Sequence, residues 1–224
     1  MIPRYPVRLG DRLEFPDPSG AADDGLVAVG GDLSPERLLL AYRCGLFPWT
    51  VRPVTWWSPD PRGIFELGGV HVGRSLRRRL RQQPYVVTLD RAFRAVIEAC
   101  ATERRPGVWI TREFIEAYDR LHRLGHAHSV ECWRGETLVG GIYGVAVGGL
   151  FAGESMFHRA DDASKIALVH LHDHLVSRGY ALFDIQMVTE ITGALGAVEL
   201  PKGEYLRRLK WAVALECSFG AVSA

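Results

Sequence analysis

Apolar and polar positions follow different patterns in the first sixty residues and in the rest of the chain. The apolar run at residues 26–29 predicts a short strand. Ser34 followed by Pro35 predicts the start of a helix, and Gly45 lies just beyond its expected end. The surrounding sequence is rich in proline and glycine, which is typical of turns. We therefore expect a small N-terminal α+β domain at residues 1–62 and a larger domain at residues 63–224.

The larger part mixes the periodicities of helices and strands. The predicted order is a basic helix, two further helices, an antiparallel hairpin, a strand, an amphipathic helix and a returning strand, at residues 74–81, 91–100, 112–124, 129–147, 150–157, 163–177 and 182–187. This order predicts an α/β fold with a GNAT-like acyltransferase domain. In GNAT acetyltransferases a loop after the central strand holds a pyrophosphate. Here that loop carries Asp161 and Asp162, which would repel one, so acetyl-CoA is not the expected donor.

Polar side chains interrupt the two strands that flank the amphipathic helix. Glu154 lies on the first strand, and Asp184 and Gln186 lie on the second. Residues two apart in a strand face the same side, so Asp184 and Gln186 are expected to act together. Because an unpaired buried charge is costly, the presence of these polar side chains on apolar strands requires an explanation. An active site is one explanation, and a structural salt bridge with a nearby arginine such as Arg159 is the other.

Composition and charge limit the classes of function that are compatible with this sequence. The net charge of +1 over 224 residues argues against a generally basic nucleic-acid binder. Arg74, Arg77, Arg78 and Arg81 nevertheless fall on one helical face, which predicts either a phosphate-binding face or an ordinary solvated one. The four scattered cysteines form no C-x-x-C pair, and no long apolar run occurs. We expect a cytoplasmic protein without a membrane segment, a metal or a cofactor.

Several motifs closely resemble those of the bacterial leucyl/phenylalanyl-tRNA–protein transferases. The resemblance covers nearly the whole chain in the same order. It rests on G-L-F-P-W (45–49), W-W-S-P-D-P-R (56–62), G-I-Y-G-V (141–145), F-A-G-E-S-M-F (151–157), A-S-K (163–165) and D-I-Q (184–186).

The resemblance implies an enzyme that moves Leu or Phe, and less well Met, from aminoacyl-tRNA to an α-amino group. The acceptors would be proteins with N-terminal Arg or Lys, which are thereby marked for N-degron proteolysis. The donor ester is already activated, so neither ATP nor a metal is required, and positioning of the two reactants would supply much of the rate. The implied partners are Leu-tRNA, Phe-tRNA and such proteins, with no membrane, and the enzyme is expected to be a monomer.

The same resemblance implies roles for individual residues. Asp184 and Gln186 would orient the attacking amine, while Glu154 would hold a cation of a substrate. The donor side chain would lie in an apolar pocket lined by Ile142, Phe151, Leu168, Leu171, Leu175, Ser177 and Phe183. The tRNA would be bound by Trp49, Trp109 and Tyr118 through stacking on the terminal adenosine, and by Arg74, Arg78 and Arg81 through phosphates.

One departure and two alternatives accompany this interpretation. Ile191 stands where the family usually has a histidine. A peptidoglycan-type aminoacyl-tRNA transferase is the first alternative, although 224 residues leave little room for the larger, duplicated domain it usually has. A non-catalytic RNA-binding module is the second, and the intact Glu154, Asp184 and Gln186 speak against it.

Overall fold

A four-stranded sheet occupies the N-terminal part of the chain. The structure, a computed structural model, describes residues 6–102 and 109–220. The sheet has the order β1-β2-β4-β3, with strands at Val7–Leu9, Leu26–Gly30, Phe47–Val51 and Val54–Trp57. Helix α1 (Pro35–Arg43) begins as the sequence predicts, because the Ser34 side chain accepts a hydrogen bond from the backbone N–H of Arg37.

A seven-stranded sheet forms the centre of the second part. Its order is β11-β5-β10-β9-β8-β7-β6. In chain order the strands β5 to β11 span Arg62–Phe65, Val86–Leu89, Ala127–Arg134, Thr137–Val147, Leu150–His158, Leu182–Gln186 and Val198–Leu200. The helices α2 to α7 span Arg74–Gln82, Phe93–Thr102, Arg112–Arg123, Ala163–Ser177, Glu190–Ala194 and Lys202–Ala212.

The connection of the strands confirms the predicted fold class. Strands β7 to β9 form an antiparallel meander, β6 pairs antiparallel with β7, and α5 then carries the chain across to β10, which pairs with β9 in parallel. This meander followed by a crossover is the arrangement that the predicted GNAT-like domain requires. No helix within the described ranges is long and apolar enough to cross a bilayer.

Two apolar clusters cover the two faces of this sheet. Helices α1, α3, α4 and α7 contribute to one cluster, which includes Tyr42, Tyr118 and Tyr205. Helices α2 and α5 contribute to the other, which includes Phe151 and Phe183. Because side chains alternate along a strand, neighbouring strand residues enter different clusters. Each site residue can therefore be assigned to one face of the sheet.

Two irregularities lie at the centre of the sheet. In the β8–β9 pairing, Gly144 pairs with Gly153 and Tyr143 pairs with Ser155, so Glu154 is an extra residue on β9. A Cβ atom at Gly144 would lie 2.2 Å from the backbone oxygen of Ala152, so only glycine fits there. Gly144 thus lies opposite a β-bulge on β9, and such bulges re-aim side chains.

The second irregularity interrupts β10 beside it. Asp184 pairs with Ile64 and Gln186 pairs with Gly63, which leaves Ile185 as the extra residue. Gln186 adopts a φ of 61°, in the left-handed region that is uncommon for non-glycine residues. The simple alternation expected for a D-x-Q strand therefore ends at Asp184, and the bulge sets the direction of Gln186.

Candidate active site

Asp184 forms a buried ion pair with Arg62. The Arg62 Nε donates to Asp184 Oδ1 at 2.9 Å, and Arg62 Nη2 donates to Oδ2 at 2.6 Å. Both side chains are 1% exposed. This two-point geometry matches a guanidinium to a carboxylate and is among the stronger hydrogen-bonding arrangements in proteins. The partner is Arg62 of β5, not the Arg159 that the sequence suggests for a structural salt bridge.

Further contacts hold this pair in place. Arg62 Nη1 donates to the backbone oxygen of Gly45 at 3.1 Å, and the guanidinium lies between the rings of Phe47 and Tyr205. Tyr205 donates to Asp184 Oδ2 at 2.9 Å, while the backbone N–H of Gln186 donates to Oδ1 at 2.9 Å. The charge of Asp184 raises the pKa of Arg62 despite burial. Asp184 thus anchors the Gln186 backbone and is itself shielded from solvent.

Glu154 has a different set of partners. It accepts hydrogen bonds from Tyr42 at 2.8 Å and from the Gln186 side-chain amide at 3.1 Å, both on Oε1. Tyr118 lies 3.4 Å from Oε2. The two phenol oxygens, Tyr42 Oη and Tyr118 Oη, are only 2.5 Å apart. Glu154 therefore joins α1, α4 and β10 at one point, and unlike Asp184 it remains partly exposed.

The environment of Glu154 disfavours its charge. Burial raises the pKa of Glu154 to about 8, and the nearby negative charge of Asp184 acts in the same direction. Hydrogen bonds from Tyr42 and Tyr118 and the charge of Arg62 oppose that shift without cancelling it. The two carboxyl groups on adjacent strands thus have different surroundings, because Asp184 is paired with Arg62 and Glu154 has a raised pKa.

The expected donor-pocket residues lie mainly in the core on the α5 face. Six of them are at most 4% exposed and belong to one apolar cluster, namely Ile142, Phe151, Leu168, Leu171, Leu175 and Phe183. The polar centre contacts Tyr42, Tyr118 and Tyr205 of the opposite cluster. Gly153, next to Glu154 on β9, packs closely against the Phe183 ring, since an added Cβ there would lie 3.1 Å from the ring.

Ser177 does not join these residues. It is exposed at the end of α5, and its hydroxyl donates to the backbone oxygen of His174. It lines a separate groove of about 890 Å³ beside β6, together with Val86 and Leu89. The expectation that Ser177 forms the rim of the donor pocket stays a prediction.

The basic helix α2 presents its arginines to solvent as the sequence predicts. Arg74, Arg78 and Arg81 are exposed. Two adjoining grooves of about 590 and 560 Å³ run between α2 and the start of α5, and both are lined by Ser75, Asp162 and Lys165. Ile191, which replaces the family histidine, is 45% exposed and lines the second groove. Arg74 and Arg78 thus line these grooves beside carboxylates, with Arg78 near Asp161 and Asp162 in the first groove.

The three aromatic residues expected to stack on adenosine differ in exposure. Trp49 is 37% exposed and lies against Phe47 and Trp57. Trp109 is half-buried, and Tyr118 is fully buried. Tyr118 has no free face for a base, so its expected stacking role is corrected, and the structure places it against Glu154 instead.

Three residues of this centre were not predicted from the sequence, namely Tyr42, Arg62 and Tyr205. Tyr42 and Tyr205 lie on amphipathic helices, where a tyrosine at a core position is ordinary. Arg62 belongs to the W-W-S-P-D-P-R motif, but its partner lies 122 residues away. An aspartate on an apolar strand does indicate that a cationic partner is present, but the sequence does not identify that partner.

Comparisons with known proteins match both parts of the chain. The fold and the site define an acyltransferase-type enzyme. Residues 64–210 match the model of the "Leucyl/phenylalanyl-tRNA protein transferase" family, and residues 31–60 match the model of its N-terminal domain.

Relatives of the same name are similar over most of their length. The leucyl/phenylalanyl-tRNA–protein transferase of Citrobacter koseri is 52% identical over 201 residues, covering 88% of this chain and 86% of that protein. The one of Shigella dysenteriae serotype 1 is 51% identical with the same coverage. A solved ribosomal-protein-alanine N-acetyltransferase from Brucella melitensis biovar Abortus 2308 is 19% identical, with a TM-score of 0.34 over 43% of this chain and 75% of that one. The chain belongs to the leucyl/phenylalanyl-tRNA–protein transferase family and is an aminoacyltransferase, so the family expected from the motifs is confirmed.

Proposed function

We propose that this enzyme transfers Leu or Phe, and less well Met, from aminoacyl-tRNA to the α-amino group of proteins with N-terminal Arg or Lys. The product would be marked for N-degron proteolysis. The observation that carries the proposal is the centre formed by Glu154, Asp184 and Gln186 at two adjacent bulges, in a chain of this family. We further propose that the enzyme acts as a cytoplasmic monomer and that residues 1–62 form a separate domain.

The reaction requires an amine and an ester to be held together. The α-amino nitrogen forms a bond with the ester carbonyl carbon, and the bond from that carbon to the ribose oxygen breaks. One proton passes overall from the amine to the released ribose hydroxyl. An α-amino group has a pKa of about 7.7–8.0, so a useful fraction is neutral near pH 7. Orientation of this neutral amine is therefore the main demand on the enzyme.

We infer that Gln186 meets that demand. Its Nε2 donates to Glu154, which turns its carbonyl oxygen away from the carboxyl group. That oxygen would accept a hydrogen bond from the attacking amine. Asp184 would act as a positioning residue, since it holds the Gln186 backbone N–H and is itself held by Arg62.

The donor amino acid and its tRNA need separate surfaces. We place the donor side chain on the α5 face of the sheet, beside the apolar residues expected to line its pocket. Trp49 and Trp109 would stack on the terminal adenosine. Arg74, Arg78 and Arg81 would contact phosphates, and such contacts are sequence-independent and weaken with salt.

A transfer assay tests the proposal directly. The purified protein is mixed with labelled Leu-tRNA or Phe-tRNA and with one of two peptides that differ only in an N-terminal Arg or Ala. We expect label on the Arg peptide and not on the Ala peptide. Transfer only to a muropeptide amine would favour the peptidoglycan-type alternative, and tRNA binding without transfer would favour an RNA-binding module.

The tRNA-binding face has its own test. The double change Arg78→Ala and Arg81→Ala should weaken tRNA binding and reduce the slope of log K against log salt by up to about two, since each phosphate contact contributes roughly 0.9. The matched control is Arg120→Ala with Arg123→Ala, which removes two exposed arginines from α4. An unchanged slope in the first variant would remove these residues from the phosphate face.

A further inference from the structure

The C-terminal segment, residues 213–220, passes from one face of the seven-stranded sheet to the other. Helix α7 ends with Ala212 in the apolar cluster on the face of α3 and α4, whereas Phe219 belongs to the cluster on the α5 face. The segment passes the turn between β8 and β9 so closely that a Cβ atom at Gly148 would lie 2.6 Å from the backbone oxygen of Val213. It therefore brings a distant part of the sequence to the face on which we place the donor side chain.

Two hydrogen bonds fix this segment on the last turn of α5. The Nε of Arg178 donates to the backbone oxygen of Ser218 at 2.7 Å. The Nε2 of His174 donates to the backbone oxygen of Phe219 at 2.6 Å. Phe219 is 4% exposed, so its ring is buried between the segment and the sheet. Because the backbone is held at two successive carbonyl groups, the ring occupies a defined position.

The Phe219 ring stacks on two aromatic side chains of the sheet. Its centroid lies 4.1 Å from that of His128 on β7 and 5.6 Å from that of Phe151 on β9, with interplanar angles of 13° and 26°. Such offset, nearly parallel arrangements are favourable for aromatic rings. His128 is itself fixed, since its Nδ1 lies 2.7 Å from a carboxylate oxygen of the buried Asp90. Phe219 therefore connects Phe151 to a fixed part of the sheet.

Phe151 links this stack to the strand position beside the polar centre. Its ring lies over Gly144, where an added Cβ would be 2.5 Å from the ring, and Gly144 lies opposite the bulge that contains Glu154. Phe151 also contacts Phe183 of β10 edge to face, with the ring centroids 5.8 Å apart. A donor side chain on the α5 face beside this bulge would therefore contact Phe151, and the position of Phe151 depends on Phe219.

We propose that Phe219 is a specificity-determining residue for the donor amino acid, because it holds the Phe151 ring in place and so limits the size of the apolar donor pocket. Without the Phe219 ring, Phe151 could move into the space left behind, and the pocket could accept a larger side chain. A close-packed apolar pocket discriminates by size, since few voids remain to accommodate an extra group. This inference rests on the proposed function, in which the donor side chain lies on the α5 face.

Donors that differ only in the side chain test this role. A single tRNA is chemically acylated with Leu, Phe or para-ethylphenylalanine, and kcat/KM is measured for transfer to the Arg-initiated peptide. The native protein should favour Phe over para-ethylphenylalanine by at least about 10-fold, the lower range for one methylene in an apolar pocket. Phe219→Ala should reduce this ratio by about 10-fold or more, because the pocket can enlarge. A ratio changed by less than about two-fold would overturn the inference, even if all rates fell together.

A second variant keeps the test valid if Phe219→Ala does not fold. Phe219→Leu retains most of the apolar volume but cannot stack on Phe151. It should lower the same ratio by a smaller factor, at least about three-fold, because Phe151 is less firmly held. A folded Phe219→Leu protein with the native ratio would also overturn the inference.

Phe93→Ala is the matched control for a general loss of packing. Phe93 is 2% exposed and stacks on His122 at 4.4 Å, as Phe219 stacks on His128, but it belongs to the cluster on the opposite face. It should leave the donor ratio within about two-fold of the native value. A change as large as that of Phe219→Ala would assign both effects to packing and overturn the inference. Absence of transfer from every donor by the native protein would overturn the proposed function and this inference together, whereas transfer with an unchanged ratio would overturn this inference alone.

Discussion

Asp184 and Glu154 carry carboxyl groups on adjacent strands, and the two groups differ in their hydrogen-bond partners and in their exposure to solvent. Asp184 is held by a guanidinium, a phenol and a backbone N–H, and it is sealed from solvent. Glu154 is surrounded by two phenols and an amide, and it remains partly exposed. Asp184 carries a fixed charge that holds the backbone of Gln186 on β10. Glu154 is a titrating group beside the side-chain amide of Gln186, which we expect to act on substrate.

Removal of the Asp184 charge should have the largest effect. Asp184→Asn leaves Arg62 buried without its counter-charge, which should cost about 3–5 kcal/mol of unfolding free energy. Transfer should be nearly abolished, while tRNA affinity is retained, because the phosphate face lies elsewhere. Urea unfolding and single-turnover transfer measure the two effects. Loss of tRNA binding with normal turnover would contradict the role given to Asp184.

A double variant separates stability from chemistry in the same pair. Arg62→Met combined with Asp184→Leu removes both charges, and such replacements are often neutral for stability. The unfolding free energy should therefore recover relative to Asp184→Asn. Transfer should not recover, because the Gln186 backbone N–H has lost its acceptor. Recovery of transfer would show that the ion pair serves stability alone.

Glu154→Gln should change how stability depends on pH. The folded pKa of about 8 lies above the unfolded value of about 4.3, so the folded protein holds a proton that the unfolded chain has lost between these values. Stability of the native protein should fall with rising pH in this window, by up to about 1.4 kcal/mol per pH unit from this group. Glu154→Gln lacks this contribution, so its stability relative to the native protein should rise from pH 5 to 8. Parallel curves would contradict the raised pKa.

Tyr205→Phe should have the smallest effect. It removes one of the hydrogen bonds to Asp184 and leaves the two from Arg62 intact. A hydrogen bond to a charged group contributes about 1.5–3 kcal/mol, and the remaining partners should limit the loss to the lower end. Thermal unfolding at pH 7 provides the measurement. A loss as large as that of Asp184→Asn would mean that Tyr205, and not Arg62, is the main support of the carboxylate.

The longer helices and the central strands β7 to β10 were predictable from the sequence because they depend on local patterns, whereas the short helix α6 and the strand β6 were not predicted. The Ser34–Pro35 start of α1 and the apolar face of α5 are examples. The hairpin formed by β3 and β4 was not predicted, since its proline-rich sequence is typical of turns. Local pattern decides an element when the residues that stabilise it are close in the chain.

The site was only partly predictable from the sequence, because the residues that form it come from distant segments of the chain. Glu154, Asp184 and Gln186 stand out because they are polar on apolar strands. Their partners Arg62, Tyr42 and Tyr118 come from distant segments, and a tyrosine on a helix gives no sign that its hydroxyl meets a carboxyl group. The two bulges could not be placed either, because only the pairing with β8 and β5 shows which residue is extra.

The most direct test of the central claim concerns Gln186. The single-turnover rate of transfer from Phe-tRNA to an Arg-initiated peptide should be compared for the native protein and for Gln186→Leu, which keeps a similar volume but lacks the amide. We predict a loss of at least about 100-fold, the lower range for a positioned catalytic group, with tRNA affinity changed less than about two-fold. A rate within about three-fold of the native value would contradict the assignment of the acid–amide centre as the site of transfer.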